Sequence, residues 1–167
     1  GRFVAFVSDA SNLVVDNTHG TRHIFLSEWQ TGVISLVSVD SDEKLASDLS
    51  SSPSISANGR YVAFRSLADN LVPNDTNGSA DVFLRDRRMG TTERVSVNTA
   101  GDQVNGSSSY PAISADGTVI VFASYATNLV EGDTNGKRDI FLRDRKTSST
   151  VRISVSSAGT QGNSEST

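Results

Sequence analysis

The sequence predicts an all-β protein built from β-propeller blades, on three observations. A unit of 58 residues occurs three times without a gap: residues 1–6 (GRFVAF) recur as 59–64 (GRYVAF) and as 117–122 (GTVIVF). Each unit contains short β-strand patterns separated by turn residues. Apolar residues alternate or form short β-branched runs, and no stretch has the 3.6-residue period of a helix. Four short strands in a repeated unit are typical of propeller blades.

The middle unit shows the strand and turn signals most clearly. Its four strands are predicted at residues 53–56, 61–66, 81–86 and 94–98. Asn58 and Gly59 form a tight-hairpin signal between the first two strands, because glycine accepts a positive φ. Gly90 is expected to turn the third strand into the fourth. Residues 99–109 are rich in Gly, Ser and Asn and are predicted to link one unit to the next.

Stacking of the units is needed because a single four-stranded sheet cannot bury both of its faces. Phe6, Phe64 and Phe122 occupy the same position of the three units and are the predicted inter-blade core. A β-solenoid and tandem β-sandwiches are the alternatives. Solenoid coils are usually shorter than this unit, and sandwiches need more strands per unit. A propeller is therefore the favoured architecture.

Composition excludes several classes of protein. The chain has 167 residues, with 36% hydrophobic and 20% charged residues, which is too apolar for a disordered chain. Its net charge of -4 argues against a nucleic-acid-binding protein. Cysteine is absent, so disulfides and thiolate metal sites are excluded. No apolar run is long enough to predict a membrane-spanning segment.

Two motifs recur at the same places in the second and third units. The pattern Pro-x-Ile-Ser-Ala-(Asn/Asp)-Gly occurs within residues 53–64 and 111–122, and Asp-Thr-Asn-Gly-x-x-Asp occurs within 70–86 and 128–144. Together they resemble the TolB-type WD40-like (PD40) propeller repeat, in a bacterial subgroup found as tandem arrays on secreted or envelope proteins. The resemblance covers the whole chain. It implies a mostly non-catalytic platform for partner binding, with six blades as the commonest number.

The repeat divides the chain into three segments of one propeller. Residues 1–52 form a first blade without its first strand, 53–110 a second blade and 111–167 a third, so eleven strands are expected. Known propellers use at least about four blades, so three cannot close a ring. An open arc would expose apolar faces and unpaired edges. We therefore expect either a piece of a longer array or a homodimer that completes a six-bladed ring.

The loop between the second and third strands of a unit holds the candidate metal site. Oxygen-bearing side chains two residues apart, a glycine and a further carboxylate resemble the later part of a Ca²⁺ loop. The candidate Ca²⁺ ligands are Asp75, Asn77 and Asp81 in the second unit and Glu131, Asp133, Asn135 and Asp139 in the third. The alternative is a structural turn, in which Asn-Gly supplies a positive φ and the last aspartate anchors loop amides.

The first unit departs from this loop pattern. Asn17, His19 and His23 stand where the second unit has Asp75, Asn77 and Asp81. One interpretation is a site for Zn²⁺ or Cu²⁺, which favour imidazole ligands. The other is drift in a terminal blade, because terminal repeats are commonly atypical and two ligands alone make a weak site.

Arginines follow the third strand of the second and third units. They are Arg85, Arg87, Arg143 and Arg145. They predict either recognition of an anionic glycan or peptide carboxylate, or cross-strand ion pairing at the outer blade edge. The first unit has Ser27, Glu28 and Trp29 there instead. Trp29 is a candidate platform for a sugar or a neighbouring chain, with packing as its alternative.

The predicted function is a non-catalytic scaffold for protein–protein interaction, with Ca²⁺ as the one candidate cofactor and an unidentified protein partner. No nucleophile-elbow sequence and no phosphate-binding glycine loop are present. A carbohydrate-binding propeller and an accessory domain of a larger secreted hydrolase are the alternatives. The lectin-like alternative predicts aromatic residues at equivalent loop positions, whereas Tyr110 and Tyr125 are not equivalent. Few lysines and many Ser, Thr and Asn residues favour an extracellular or periplasmic location.

Overall fold

A computed structural model of the chain describes residues 1–15 and 18–167, which fold into β-strands joined by turns and loops. The strands are β1 (Phe3–Ser8), β2 (His23–Glu28), β3 (Val33–Leu36), β4 (Ser50–Ile55), β5 (Tyr61–Ser66), β6 (Asp81–Asp86), β7 (Thr91–Arg94), β8 (Ser108–Ile113), β9 (Val119–Ser124), β10 (Asp139–Asp144) and β11 (Ser149–Arg152). The all-β prediction and its eleven strands are confirmed for these residues. No helix among them is long and apolar enough to cross a membrane.

The strands form three antiparallel sheets, one for each repeat unit. Blade 1 has the order β1-β2-β3, blade 2 has β4-β5-β6-β7 and blade 3 has β8-β9-β10-β11. The register repeats as well, since Phe64 pairs with Phe83 in blade 2 and Phe122 pairs with Phe141 in blade 3. The ring centroids of these two pairs are 5.9 and 6.0 Å apart. The sequence repeat is therefore a structural repeat of one blade, which is complete in blades 2 and 3 and has three strands in blade 1.

Two strand boundaries differ from the sequence prediction. The first strand of blade 2 begins at Ser50 rather than residue 53, because the serines before the proline already pair with β5 across a bulge. The fourth strand spans Thr91–Arg94 rather than residues 94–98. It starts directly after the turn at Gly90, whose amide donates to Asp86 O at 2.9 Å. The apolar residues that follow bend inward, and the amide of Val95 donates to Val82 O at 2.7 Å.

The hydrophobic core lies in two layers, one between each pair of neighbouring blades. Phe64 is fully buried in the layer between blades 1 and 2, and Phe122 in the layer between blades 2 and 3. These two predicted anchors are confirmed. Phe6 differs, because it is only partly buried and stacks on Phe25 on the face of blade 1 that is turned away from blade 2. Position in the repeat is the same, but Phe6 has no neighbouring blade against it.

Blades 2 and 3 approach each other through their first strands. β8 contacts β4, β5 and β6, and β4 contacts β1 and β2. β4 and β8 are thus the inner strands of blades 2 and 3, next to the axis around which propeller blades are arranged. Side chains on β4 and β8 are therefore brought together from two different repeats.

Candidate functional site

The predicted calcium loop of blade 2 is a network of internal hydrogen bonds and ion pairs. Asp81 begins β6 and its side chain is fully buried. Ser96 Oγ donates to Asp81 Oδ1 at 2.5 Å. Arg94 Nη1 lies 3.4 Å from Asp81 Oδ2 and 3.1 Å from Asp75 Oδ1. Gln103 Nε2 also donates to Asp75 Oδ1 at 2.7 Å. A guanidinium from the end of β7 thus lies between the two aspartates.

Burial shifts the pKa of both carboxylates. Loss of solvation is the largest effect, and it raises the pKa of Asp75 and of Asp81 above the usual 3.8. The positive charge of Arg94 lowers the pKa of each carboxylate and offsets part of the loss. Buried carboxylates require such a partner. Arg94 therefore stabilises the loop in the charge state in which both aspartates are ionised.

Blade 3 repeats the network with the equivalent residues. Ser154 Oγ donates to Asp139 Oδ1 at 2.5 Å, and Gln161 Nε2 donates to Asp133 Oδ1 at 2.7 Å. Arg152 Nη1 lies 3.3 Å from Asp133 and 3.7 Å from Asp139. Glu131 is exposed and makes no hydrogen bond or ion pair with the described residues. The same arginine-centred arrangement thus occurs in both complete blades.

Most of the oxygens predicted to bind Ca²⁺ have internal partners, except those of Glu131 and the buried Asp133 Oδ2, which accepts no hydrogen bond from the described residues. Asn77 turns its Nδ2 towards Asp81 Oδ2 at 3.2 Å, and its Oδ1 accepts from the Ser79 amide at 2.9 Å. Asn135 makes the equivalent contacts with Asp139 and Lys137. Within residues 1–15 and 18–167, no three His, Cys, Asp or Glu side chains are grouped as metal ligands. An ion bound between the aspartates of either loop would have to displace Arg94 or Arg152.

His23 takes the structural place of the buried aspartate in blade 1. Its Nδ1 lies 3.1 Å from Ser38 Oγ, just as Asp81 meets Ser96 in blade 2. Burial lowers the pKa of His23 below 6.5, and this effect outweighs a hydrogen bond with the Thr18 backbone. His19 is exposed and has a positive φ of 52°. Asn17, the third residue of the predicted imidazole site, lies outside the described residues.

The hydrogen bond between His23 and Ser38 brings an imidazole next to a serine hydroxyl, the pair that a serine nucleophile uses. Both side chains are fully buried, so substrate cannot reach the serine hydroxyl. The hydroxyl also accepts a hydrogen bond from the Ile24 amide at 3.1 Å. A nucleophile needs both access and a base that can take its proton. This pair therefore holds the strand ends together and does not form a catalytic site.

Arg85 and Arg143 link neighbouring blades. Arg85 Nη1 donates to Asp40 O of blade 1 at 2.9 Å, and its Nη2 contacts Glu43. Arg143 Nη1 donates to Asn98 O of blade 2 at 3.1 Å. Since these donors are bound to backbone carbonyls of the previous blade, the two arginines stabilise the blade joints.

Arg87 and Arg145 extend over aromatic rings of the previous blade. Arg87 lies 5.3 Å from the ring centroid of Phe3, and Arg145 lies 4.6 Å from that of Tyr61. Their Nη1 atoms donate to the carbonyls of Gly59 and Gly117, each at 2.8 Å.

Trp29 is exposed, and its Nε1 donates to the Gly1 carbonyl at 2.6 Å. The contact ties the turn after β2 to the start of β1. Trp29 remains 60% exposed, as a platform for a sugar or a neighbouring chain requires.

One group of residues escaped the sequence analysis. Tyr110 and Tyr125 are not equivalent in the repeat, yet both lie within 5.6 Å of the Arg138 guanidinium, measured to the ring centroids. Arg65 lines the same pocket from blade 2. A comparison of the units position by position could have found them, because each of the four residues differs from its counterpart in the other complete blade.

Blades of four antiparallel strands that stack through apolar faces and converge on their first strands define a β-propeller. Solved structures agree. A TolB protein from Agrobacterium tumefaciens is similar over 99% of this chain and 50% of its own, with a TM-score of 0.57 and 17% identity. TolB from Acinetobacter baumannii is similar over 95% of this chain and 31% of its own, with a TM-score of 0.54 and 18% identity. The fold is that of TolB-like PD40 propellers.

A third similar structure is the β-propeller domain of the Trilobed protease from Pyrococcus furiosus. It has a TM-score of 0.55 and 12% identity, and the match covers 90% of this chain and 38% of that chain. The present chain therefore spans half or less of each of these three proteins. No protein-family model matches the sequence, and no curated protein matches it.

Proposed function

We propose that the protein is a non-catalytic β-propeller scaffold for protein–protein interaction, and that a second copy of this chain is one of its partners. The observation that carries the proposal is the state of the two end faces of the three-blade arc. These are the outer face of blade 1 and the outer face of blade 3. Each exposes apolar side chains whose counterparts in blade 2 are buried against a neighbouring blade. Such faces are interaction surfaces because exposed apolar patches favour association.

Blade 3 presents the first of these faces. Ile153 is 43% exposed, whereas its counterpart Val95 in blade 2 is 2% exposed against blade 3. Val155 is 41% exposed, and its counterpart is Val97, at 8%. The outer face of blade 3 is therefore the same surface that blade 2 uses to bind the next blade.

Blade 1 presents the complementary face. Val4 is 49% exposed, whereas its counterpart Val62 is fully buried against blade 1. Phe6 lies beside it with part of its ring accessible. The two end faces thus correspond to the two sides of an interface that occurs twice within the chain. A heterologous contact of this kind closes into a ring when the rotation permits, and two chains of three blades give six.

The closing joint would be weaker than the internal joints. Thr92 and Thr150 donate their hydroxyls to carbonyls of the previous blade, at 2.6 and 2.7 Å. Blade 1 has Ile34 at this position and Ser27 in place of Arg85. The closing joint therefore relies on apolar contact. We expect a dimer that dissociates on dilution.

The molar mass in solution tests the proposal. Light scattering over a range of protein concentrations should approach twice 17.7 kDa at the highest concentration. Ile153→Lys should shift the population to the monomer, since it places a charge at the centre of the face. Met89→Lys is the matched control, because Met89 is exposed in a turn away from both end faces. A wild-type mass of 17.7 kDa at every concentration would overturn the second copy as partner.

The proposal includes an extracellular or periplasmic location, and it assigns the Asp-Thr-Asn-Gly loops a structural role in preference to calcium stabilisation. The loops of blades 2 and 3 support the turn alternative better than the calcium alternative, because Arg94 and Arg152 already neutralise the aspartates. The composition supports an extracellular or periplasmic location, because the 167 residues include only three lysines and many Ser, Thr and Asn. Unfolding in Ca²⁺ and in EDTA, described below, decides the role of the loops.

A further inference from the structure

A pocket of about 320 Å³ lies between the inner strands of blades 2 and 3. We call it the tyrosine–arginine pocket. It is lined by Ser51, Ser52, Arg65, Ser107, Ser108, Ser109, Tyr110, Tyr125 and Arg138. Two blades of one chain contribute to it, so it does not depend on a second copy.

Two tyrosines present their rings in this pocket. Tyr110, in β8, is 61% exposed, and Tyr125, directly after β9, is 49% exposed. The Arg138 guanidinium lies 5.6 Å from the centroid of each ring. Its Nε donates to Ser166 O at 3.3 Å, and Glu165 lies 3.7 Å away. Arg138 therefore contacts both rings, and Glu165 partly neutralises its positive charge.

A β-bulge directs Tyr110 into this position. The register of β8 with β9 shifts between Ser109 and Ala112, and Tyr110 has a φ of 54°. A left-handed conformation is uncommon for a tyrosine and costs free energy. Bulges of this kind re-aim side chains and are frequent beside binding sites. The equivalent bulge in blade 2 carries Ser52, whose φ is 53°.

Arg65 supplies a charge without a partner. No hydrogen bond or ion pair joins its guanidinium to any residue in 1–15 or 18–167, although the side chain is partly buried. The hydroxyl groups of Ser51, Ser52, Ser107 and Ser109 likewise make no hydrogen bond with the described residues. The pocket thus holds one uncompensated cation and several unused hydroxyl groups beside exposed aromatic rings.

The pocket is made of departures from the repeat. At the joint between blades 1 and 2, the positions of Tyr110, Tyr125, Arg138 and Arg65 are taken by Ser52, Leu67, Ala80 and Val7. The backbone is the same at both joints, so the fold does not require aromatic or charged side chains there. Because four positions that differ between the two joints converge on one pocket, they favour a binding site over a structural element.

We propose that the tyrosine–arginine pocket binds a carboxylate-bearing saccharide, such as a uronic acid oligomer. Arg65 would bind the carboxylate through its paired N–H groups. The tyrosine rings offer flat apolar faces for the carbon face of a sugar ring and hydroxyl groups for its edge. The serine hydroxyl groups can form hydrogen bonds with the many hydroxyl groups of a saccharide. A peptide carboxylate would leave most of these serine hydroxyl groups unpaired. The site is thus suited to an acidic sugar at the inner end of one blade joint.

Titration calorimetry with trigalacturonate, and with its methyl ester as the uncharged analogue, tests this proposal. We expect trigalacturonate to bind and its ester to bind at least about tenfold more weakly, because the ester removes the partner of Arg65. Arg65→Gln should weaken trigalacturonate binding by a similar factor, and Tyr125→Ala should also weaken it. Arg88→Gln is the matched control, since Arg88 is an exposed arginine in a turn outside the pocket.

Three results would overturn the proposal. These are the absence of a preference for the acid over the ester (including no binding of either), unchanged binding by Arg65→Gln, and tighter binding of a short peptide with a free C-terminal carboxylate than of trigalacturonate. The last would assign the pocket to a peptide. Because the pocket lies within one chain, failure of sugar binding leaves the mass measurements on the dimer unaffected. The two proposals are therefore tested separately.

Discussion

The ring of Tyr61 lies directly over Gly117, so close that a Cβ on that glycine would stand 2.2 Å from Tyr61 Cδ2. Phe3 and Gly59 have the same relationship one blade earlier, also at 2.2 Å. The aromatic residue at the start of β1 or of β5 thus fills the space above the hairpin glycine of the next blade. Glycine is needed there both for a φ of +76° and for this close approach.

Substitution of these glycines separates the two requirements. Gly136→Ala should cost about 1–2 kcal/mol, because its φ is +61° but nothing lies within 4 Å of the added Cβ. Gly117→Ala should cost about 1–3 kcal/mol more, because the added methyl group also displaces Tyr61. Urea unfolding of the two variants measures the difference. Equal losses of unfolding free energy in the two variants would show that the Tyr61 ring moves aside at no cost.

The phenylalanine series tests where the core lies. Phe64→Ala should lower the free energy of unfolding by about 3–5 kcal/mol, since its ring is fully buried between blades 1 and 2. Phe6→Ala should cost clearly less in the monomer, because Phe6 lies on the open face of blade 1. The comparison is made by chemical unfolding at a concentration where the protein is monomeric. A cost below about 1 kcal/mol for Phe64→Ala would show that the core has been misplaced.

Removal of Arg94 should destabilise blade 2 strongly. Arg94→Met leaves Asp75 and Asp81 buried without their cation, which should cost about 3 kcal/mol or more at neutral pH. Arg88→Met changes an exposed arginine in the same blade and should cost little. Thermal and urea unfolding of Arg94→Met and Arg88→Met measure the two losses of stability. Similar losses for both variants would contradict the buried ion pairs.

Calcium should have little effect on the wild-type protein. With Arg94 and Arg152 between the aspartates, we expect the same unfolding midpoint in millimolar Ca²⁺ and in excess EDTA. An ion at about 100 times its dissociation constant would instead add roughly 2.7 kcal/mol per site. A rise of several degrees, lost in Asp81→Ala together with Asp139→Ala, would support the calcium alternative over the turn alternative.

Acid should destabilise the fold through His23. Its folded pKa lies below the ordinary 6.5, so the unfolded chain binds a proton that the folded chain excludes. The stability is present above pH 6.5 and is lost as the pH falls from there towards the folded pKa, at no more than about 1.4 kcal/mol per pH unit. Urea unfolding at pH 7.5, 6.5 and 5.5 measures this slope.

His23→Asn supplies the control for the acid effect. The raised pKa values of Asp75 and Asp81 act in the opposite direction, since their contribution is greatest below pH 3.8 and is lost as the pH rises through their folded values. These aspartates are present in both proteins and cancel in the comparison. The wild-type protein should therefore lose more stability than His23→Asn between pH 7.5 and 5.5. Identical slopes would show that His23 is accessible to protons in the fold.

Repeat arithmetic and turn chemistry were sufficient to predict β5 and β6 to the residue. The strands Tyr61–Ser66 and Asp81–Asp86 each contain a short run of apolar residues, which the repeat places at the same positions in every unit. β4 and β7 were misplaced by a few residues, because serine-rich and Thr-Glu-Arg stretches carry no apolar alternation. Their positions depend on pairing with a neighbouring strand, which local sequence does not encode.

The sequence by itself determined the unit of the fold, the number of blades and the buried role of Phe64 and Phe122, because a strict 58-residue period forces each unit into the same sheet. Only the tertiary structure decided which side chains meet across a blade joint. Arg145 of blade 3 comes to lie over the Tyr61 ring of blade 2, and Arg85 of blade 2 donates to the Asp40 carbonyl of blade 1. These contacts join residues far apart in the chain, and their geometry is set by the packing of one sheet on another.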